Sequence, residues 1–170
     1  MSNSKDCKEV FTDIYARKVW GDGSGGGSGE QAMPYCAFIS NLLANDCAVY
    51  EVLDIGSGDQ NVTRNIKWHG VVYYGIDAAW GHDALTDTLP PADLVLCKEV
   101  MQHLSNEQVQ TLLDRTAHYP RRLFTNNCDP EHMNEDIETG GFRPVDLSKP
   151  PFNQPCKTVF TYGHWHIQEL

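Results

Sequence analysis

The feature that most constrains this chain is the run Tyr50-Glu51-Val52-Leu53-Asp54-Ile55-Gly56-Ser57-Gly58-Asp59. It is answered by Val71-Val72-Tyr73-Tyr74-Gly75-Ile76-Asp77. The first run reads as a buried strand breaking into a Gly-x-Gly turn. The second is another apolar strand, ending on a carboxylate 19 positions after Gly58. In an open α/β sheet, a glycine turn after the first strand lets the backbone approach a nucleotide closely, and an acid closing the next strand accepts hydrogen bonds from a ribose. The pair points to a nucleotide-type cofactor.

A chain of 170 residues with 41% hydrophobic content is long enough for one domain with a proper core. Its formal charge of −10 opposes a grip on nucleic acid phosphates, which requires clustered Lys and Arg; cations are adjacent only at Arg17-Lys18 and Arg121-Arg122. The six cysteines (Cys7, Cys36, Cys47, Cys97, Cys128, Cys156) follow no regular spacing and read as reduced thiols of a cytoplasmic protein. The polar start Met1-Ser2-Asn3-Ser4-Lys5-Asp6 lacks a signal-peptide core, and no apolar run approaches the roughly 20 residues needed to cross a bilayer.

Val10, Ile14, Tyr15 and Val19 share one face of a helix expected over 8–20. The stretch Gly21 to Gly29 has linker composition, yet it precedes an apolar helix expected from Met33 to Leu43 and is placed to fold over a cofactor. Strands are expected at 50–55, 71–76, 92–97 and 121–125, with a short helix at 60–68 whose Val62, Ile66 and Trp68 face the sheet. Ser105-Asn106-Glu107-Gln108 is a capping-box pattern opening a helix with Val109, Leu112 and Leu113 on one face. Residues 128–155 are rich in Pro, Asn, Asp and Gly and read as loops. Segments 158–162 and 164–168 alternate and form a hairpin through Gly163. The expected fold is α/β, a doubly wound sheet that is mostly parallel with an antiparallel C-terminal edge.

A dinucleotide fold wants Gly-x-Gly-x-x-Gly, and here Asn61 occupies the third glycine's place. The residues instead carry a different resemblance. Val52 to Asp59 resembles the first motif of the class I S-adenosylmethionine-dependent methyltransferases, and Tyr73 to Asp77 their second. Asp83-Ala84 before Leu89-Pro90 resembles their third, and Asp93 to Leu104 their fourth. Ile14-Tyr15, Trp20-Gly21 and Ser24 to Ser28 are similar to a tract ahead of the core in some small members; Asn134 to Phe152 is similar to their tail.

The resemblance implies a Rossmann-like sheet of the seven-stranded type and a pocket for S-adenosylmethionine. In it Asp54 organises the glycine turn and approaches the methionine amino group. Gly56, Ser57 and Gly58 admit the cofactor, Asp77 takes the ribose hydroxyls, and Asp83 takes the adenine amino group. Ala78, Ala84 and Lys98 complete the cofactor set. A carboxylate partner for an ammonium and for a diol also follows from charge logic. Only 16 positions separate Asp77 from Asp93, too few for the family's usual helix and third strand. The expectation is a sheet abbreviated there, with a stub near 80–84 and an open adenine side.

For proton removal the candidates are His103 and Glu99, beside Lys98; a histidine near pKa 6.5 suits the task at neutral pH. Asn126-Asn127 is expected on a substrate-facing loop. Arg143 is expected either in a surface pair with Asp146 or as a clamp for an anionic acceptor. Cys128 with His132, and His164 with His166 on one strand face, do not make the three or four converging ligands that zinc requires, so no metal is assigned. Trp20, Trp68, Trp80 and Trp165 read as core or partly covered aromatics. The overall expectation is one domain over 1–170, with a helical and Gly-rich lid at 1–45 and a core at 46–170. It would methylate a small-molecule or sugar-like acceptor, with nucleic acid and membrane not expected as partners; short chains of this kind often form homodimers. The rival readings are a non-catalytic cofactor-binding subunit and a nicotinamide-dependent oxidoreductase.

Overall fold

The structure is a computed structural model that describes residues 6–25 and 29–170. Helix α1 (Cys7–Ala16) is capped by Asp6, whose carboxylate accepts from the Lys8 amide. Helix α2 (Met33–Asn45) carries proline in its first turn, where a missing N–H costs nothing. Strands β1 (Glu51–Ile55), β2 (Val72–Ile76), β3 (Leu94–Lys98) and β4 (Arg121–Asn127) pair in parallel in the order β2-β1-β3-β4. Helix α3 (Asn106–Thr116) links β3 to β4 and starts on the reciprocal Ser105–Gln108 box. The hairpin of β5 (Lys157–Tyr162) and β6 (Trp165–Glu169) then adds β6 antiparallel to β4, giving the six-stranded order β2-β1-β3-β4-β6-β5.

Alternation along the strands sorts the core into two layers. Val52, Leu94, Leu96, Leu123 and Ile167 face Tyr35, Ile39 and Leu43 of α2. Leu53, Val95, Cys97 and Phe124 face Val109, Leu112 and Leu113 of α3, and the same cluster takes in Phe11 and Ile14 of α1. Residues 128–156 are irregular, as their composition implies, but they are held by buried amides. Asn134 Nδ2 donates to the carbonyls of Asp146 and Pro150, and Gln168 Oε1 accepts from the Leu147 amide.

Several expectations change. The helix expected over 8–20 ends at Ala16, leaving Val19 exposed, and the one expected at 60–68 is a single 3-10 turn, Thr63–Asn65. The sheet has six strands, and no stub forms at 80–84. There a 3-10 turn, Ala78–Trp80, ends at the left-handed Gly81, and a second turn closes on Asp83, whose carbonyl accepts from the Thr86 and Asp87 amides. Pro90 and Pro91 lack the amides a strand ladder uses. Helix α1 packs over the Ala78–Trp80 turn, tied by Thr12 Oγ1 donating to the Ala79 carbonyl (3.2 Å) and by Lys8 paired with Asp87 at 2.8 Å. His164 precedes β6, so it does not share a strand face with His166. Trp80 is 58% exposed, whereas Trp20, Trp68 and Trp165 are partly covered.

Candidate active site

The carboxyl ends of β1, β2 and β3 open into a cavity of about 450 Å³, roofed by α1 and by residues 20–25. That volume and a position at the strand carboxyl ends are ordinary for a ligand site in an open α/β sheet. The turn after β1 is clamped by the Ile76 carbonyl, which accepts from the Gly56 and Ser57 amides at 2.8 and 3.1 Å. Both glycines have positive φ, and a Cβ on Gly56 would come 2.0 Å from Val100 Cγ2. A larger residue at either position is strained and meets a neighbouring side chain.

Asp77 ties the turn to the end of β2. Its Oδ2 accepts from the Gly58 amide at 3.0 Å and its Oδ1 from the Ala79 amide at 2.8 Å. Each carboxylate oxygen retains a lone pair for a further donor in the cavity. Burial raises the Asp77 pKa. Asp54, at the end of β1, is 4% exposed; burial pushes its pKa up to about 7, despite a hydrogen bond from the Tyr73 hydroxyl at 2.9 Å. Asp83 and Ala84 reach the same cavity, and the Asp83 carboxylate accepts from the Leu85 amide. Thus Asp54, Gly56, Ser57, Asp77, Ala78, Asp83, Ala84 and Lys98 all line one space, with Gly58 in the turn that bounds it. Two buried carboxylates, Asp54 and Asp83, and the half-buried Asp77 around a glycine turn suit a cationic ligand that also carries hydroxyls.

The described part of the Gly-rich stretch packs on the glycine turn. Ser24 Oγ accepts from the Asp59 amide and donates to Asp59 Oδ1, and it lies 3.0 Å from the Tyr15 hydroxyl. Burial raises the Tyr15 pKa to about 12, so that hydroxyl stays protonated. The remaining linker-like residues, Gly26, Gly27 and Ser28, lie outside the described residues, as do Met1 to Lys5.

The two candidate bases differ sharply. Glu99 has left-handed backbone (φ 57), a conformation that costs a non-glycine residue free energy. Its carboxylate is held by Lys98 and by the Trp165 indole N–H (2.8 Å) from β6. His103 donates from Nδ1 to the Gly141 carbonyl at 2.7 Å, since a carbonyl only accepts. Its Nε2 is left with a 3.5 Å approach from the Gln102 side-chain amide. Burial lowers the His103 pKa, so the ring is neutral at pH 7 and Nε2 carries a lone pair.

Arg143 fits neither of its expected roles. It is buried, makes no pair with Asp146, and donates from its guanidinium to the Met101 carbonyl and to Asn106 Oδ1. Asn126 and Asn127 end β4 rather than forming a loop; Asn126 is buried, and Asn127 lines the cavity. Tyr35, Tyr73 and Trp165 also line or support the site, a role that local patterns do not give them. Their places depend on α2, β2 and β6 converging, which no local spacing reports.

The fold is that of the class I S-adenosylmethionine-dependent methyltransferases. No protein-family model matches the sequence, and no curated protein sequence matches it. The similarity is carried by solved structures. Human N-acetylserotonin methyltransferase in complex with S-adenosylmethionine superposes with a TM-score of 0.61 at 14% identity, over 95% of this chain and 58% of that one. The mitomycin 7-O-methyltransferase gives 0.64 at 15% identity, over 98% and 60%. Magnesium protoporphyrin IX methyltransferase from Synechocystis, with bound S-adenosylmethionine, gives 0.59 at 14% identity, over 99% and 98%. The chain therefore spans under two thirds of the length of the first two, and nearly all of the third. No helix among the described residues is long and apolar enough to cross a membrane.

Proposed function

We propose that this chain is an S-adenosylmethionine-dependent methyltransferase acting on a small-molecule acceptor. Residues 1–170 would work as one unit, with residues 1–45 as a lid over the core at 46–170. The observation that carries the reading is that Asp77 bridges the glycine turn and the Ala78–Trp80 turn at the mouth of the cavity that also holds buried Asp54. In the bound state S-adenosylmethionine supplies an electrophilic methyl group on a positively charged sulfur. Asp54 would face its ammonium, Asp77 its ribose hydroxyls, and Asp83 with Ala84 its adenine. Gly56, Ser57 and Gly58 would admit it closely, while Ala78 and Lys98 complete the wall. His103 would accept the acceptor's proton at Nε2, and Glu99 would be held by Lys98 and Trp165 at the acceptor side. The net charge of −10 favours a small molecule over a nucleic acid as acceptor.

Calorimetric titration of S-adenosylmethionine and S-adenosylhomocysteine tests this. Micromolar binding of both is expected, weakened at least about tenfold in Asp77→Asn, which loses charge at the ribose position but keeps an acceptor for the Gly58 amide. Absence of binding by either compound would overturn the reading.

A further inference from the structure

The cavity continues past the carboxylates into a half with different chemistry, walled by Trp20, Tyr35, Phe142, Trp165 and His103. Most of the polar groups described here already have protein partners. Lys98 pairs with Glu99 and lies 5.7 Å above the centre of the Tyr35 ring. Glu99 accepts from Trp165. Gln102 Oε1 accepts from the Asn127 amide, and Asn127 Oδ1 accepts from the Asp129 amide. A polyol entering this space would bring several hydroxyls and find few uncommitted partners, at a desolvation cost for each one left unpaired.

The rings are also held in fixed planes. Trp165 stacks on Tyr162 with 12° between planes, and Trp20 lies 4.6 Å from His103. Such walls favour a flat ring that stacks or meets them edge-on. A negatively charged occupant is opposed by Asp54, Asp77, Asp83 and Glu99, with Lys98 already engaged. His103 Nε2 faces this space with a long contact, the Gln102 side-chain amide at 3.5 Å, because Nδ1 is committed to Gly141.

Resting on the function proposed above, we infer that this half of the cavity is an acceptor subsite for a flat, uncharged aromatic molecule bearing a hydroxyl, which donates its hydrogen bond to His103 Nε2. The test uses the full chain, alone and saturated with S-adenosylhomocysteine, which cannot donate a methyl group. Naphthol, methoxynaphthalene, naphthyl phosphate and methyl glucoside are titrated by calorimetry. Naphthol is expected to bind saturably. Methoxynaphthalene, which keeps the rings and lacks the O–H, should bind about fivefold weaker, as the loss of one hydrogen bond implies. Methyl glucoside and naphthyl phosphate should not saturate. Trp165→Leu should weaken naphthol about tenfold with S-adenosylhomocysteine affinity unchanged, and Trp165→Phe should restore it.

The inference is overturned if naphthol fails to saturate, or if methyl glucoside or naphthyl phosphate binds as tightly as naphthol. It is equally overturned if the Trp165 variants leave naphthol affinity unmoved. Failure of S-adenosylhomocysteine to bind overturns the cofactor reading separately, because the aromatic titration on the chain alone still reports on the subsite.

Discussion

His103 Nδ1 lies 2.7 Å from the carbonyl oxygen of Gly141, 38 residues further along the chain. That bond fixes the ring's tautomer, and the surrounding backbone fixes the bond. The Gly140 amide donates to the His103 carbonyl, the Arg143 amide donates to the Gln102 carbonyl, and the Arg143 guanidinium reaches the Met101 carbonyl. A buried arginine thus ties the tail segment to the turn that carries His103.

Arg143→Gln should therefore act on His103 as well as on stability. Loss of hydrogen bonds to the Met101 carbonyl and Asn106 predicts a cost of about 1–3 kcal/mol, measured by urea unfolding. Nitrogen-15 NMR should show a single Nδ1–H tautomer of His103 in the parent chain and a mixture in the variant. The His103 pKa, lowered by burial first and also by the Arg143 charge, should rise toward its ordinary value.

Given the proposed proton transfer, His103→Gln should lower kcat/KM on a hydroxylated acceptor by about 10²-fold or more. In the parent chain the rate should climb with pH through a midpoint below 6.5 and then level, because the neutral ring is the active form. Retention of that acidic limb in His103→Gln would show that another group accepts the proton.

Gly58→Ala should separate two effects. At φ 57 the new Cβ would be strained, and it would come 2.3 Å from Ser24 Oγ. A loss of about 1–3 kcal/mol is expected from strain and clash together. Adding Ser24→Gly should recover only the clash, so the thermodynamic cycle of the two variants should show coupling.

Asp54 predicts a pH dependence with a definite sign. Its folded-state pKa of about 7 lies above the ordinary carboxylate value of 3.8, so the folded state binds the extra proton between them. Stability from this group is complete below about pH 4 and is lost as pH rises through 7, by up to about 4 kcal/mol. Asp54→Asn should remove that slope in unfolding measured from pH 4 to 8. Given the proposed place of Asp54 beside the cofactor ammonium, S-adenosylhomocysteine affinity should move the opposite way and rise about tenfold from pH 6 to 8, since an ammonium prefers the ionised carboxylate.

Phe11→Ala tests how α1 is held over the Ala78–Trp80 turn. Phe11 is buried in α1, lines the cavity and packs against Trp20 with ring centres 6.0 Å apart. A cost of about 3 kcal/mol is expected, with faster hydrogen exchange at residues 77–85, because α1 would loosen over the Ala78–Trp80 turn.

Local sequence carried a large share of this molecule. The parallel strands β1, β2 and β3 are short, mostly apolar runs, and the alternation in 158–162 and 164–168 shows the hairpin without help from distant residues. The Ser105–Gln108 box sets the start of α3 through bonds within four residues. The glycine turn is legible because the chain there demands positive φ, which only glycine adopts without strain, and Asp77 is legible because it directly follows β2.

What the tertiary structure alone decided is long-range. The shortage of residues between Asp77 and Asp93 was visible, but not that α1 would cover the gap, because that depends on Thr12, Lys8 and Phe11 meeting partners more than 60 residues away or on another element. Arg143 looked like a surface cation from its neighbours, and it is buried because the carbonyl it satisfies belongs to Met101. Trp165 reaches Glu99 across 66 residues because β6 enters the sheet antiparallel beside β4. Periodicity and turn chemistry are encoded within one helical turn or one strand. The partners of buried polar groups are chosen by chain closure, which local spacing does not report.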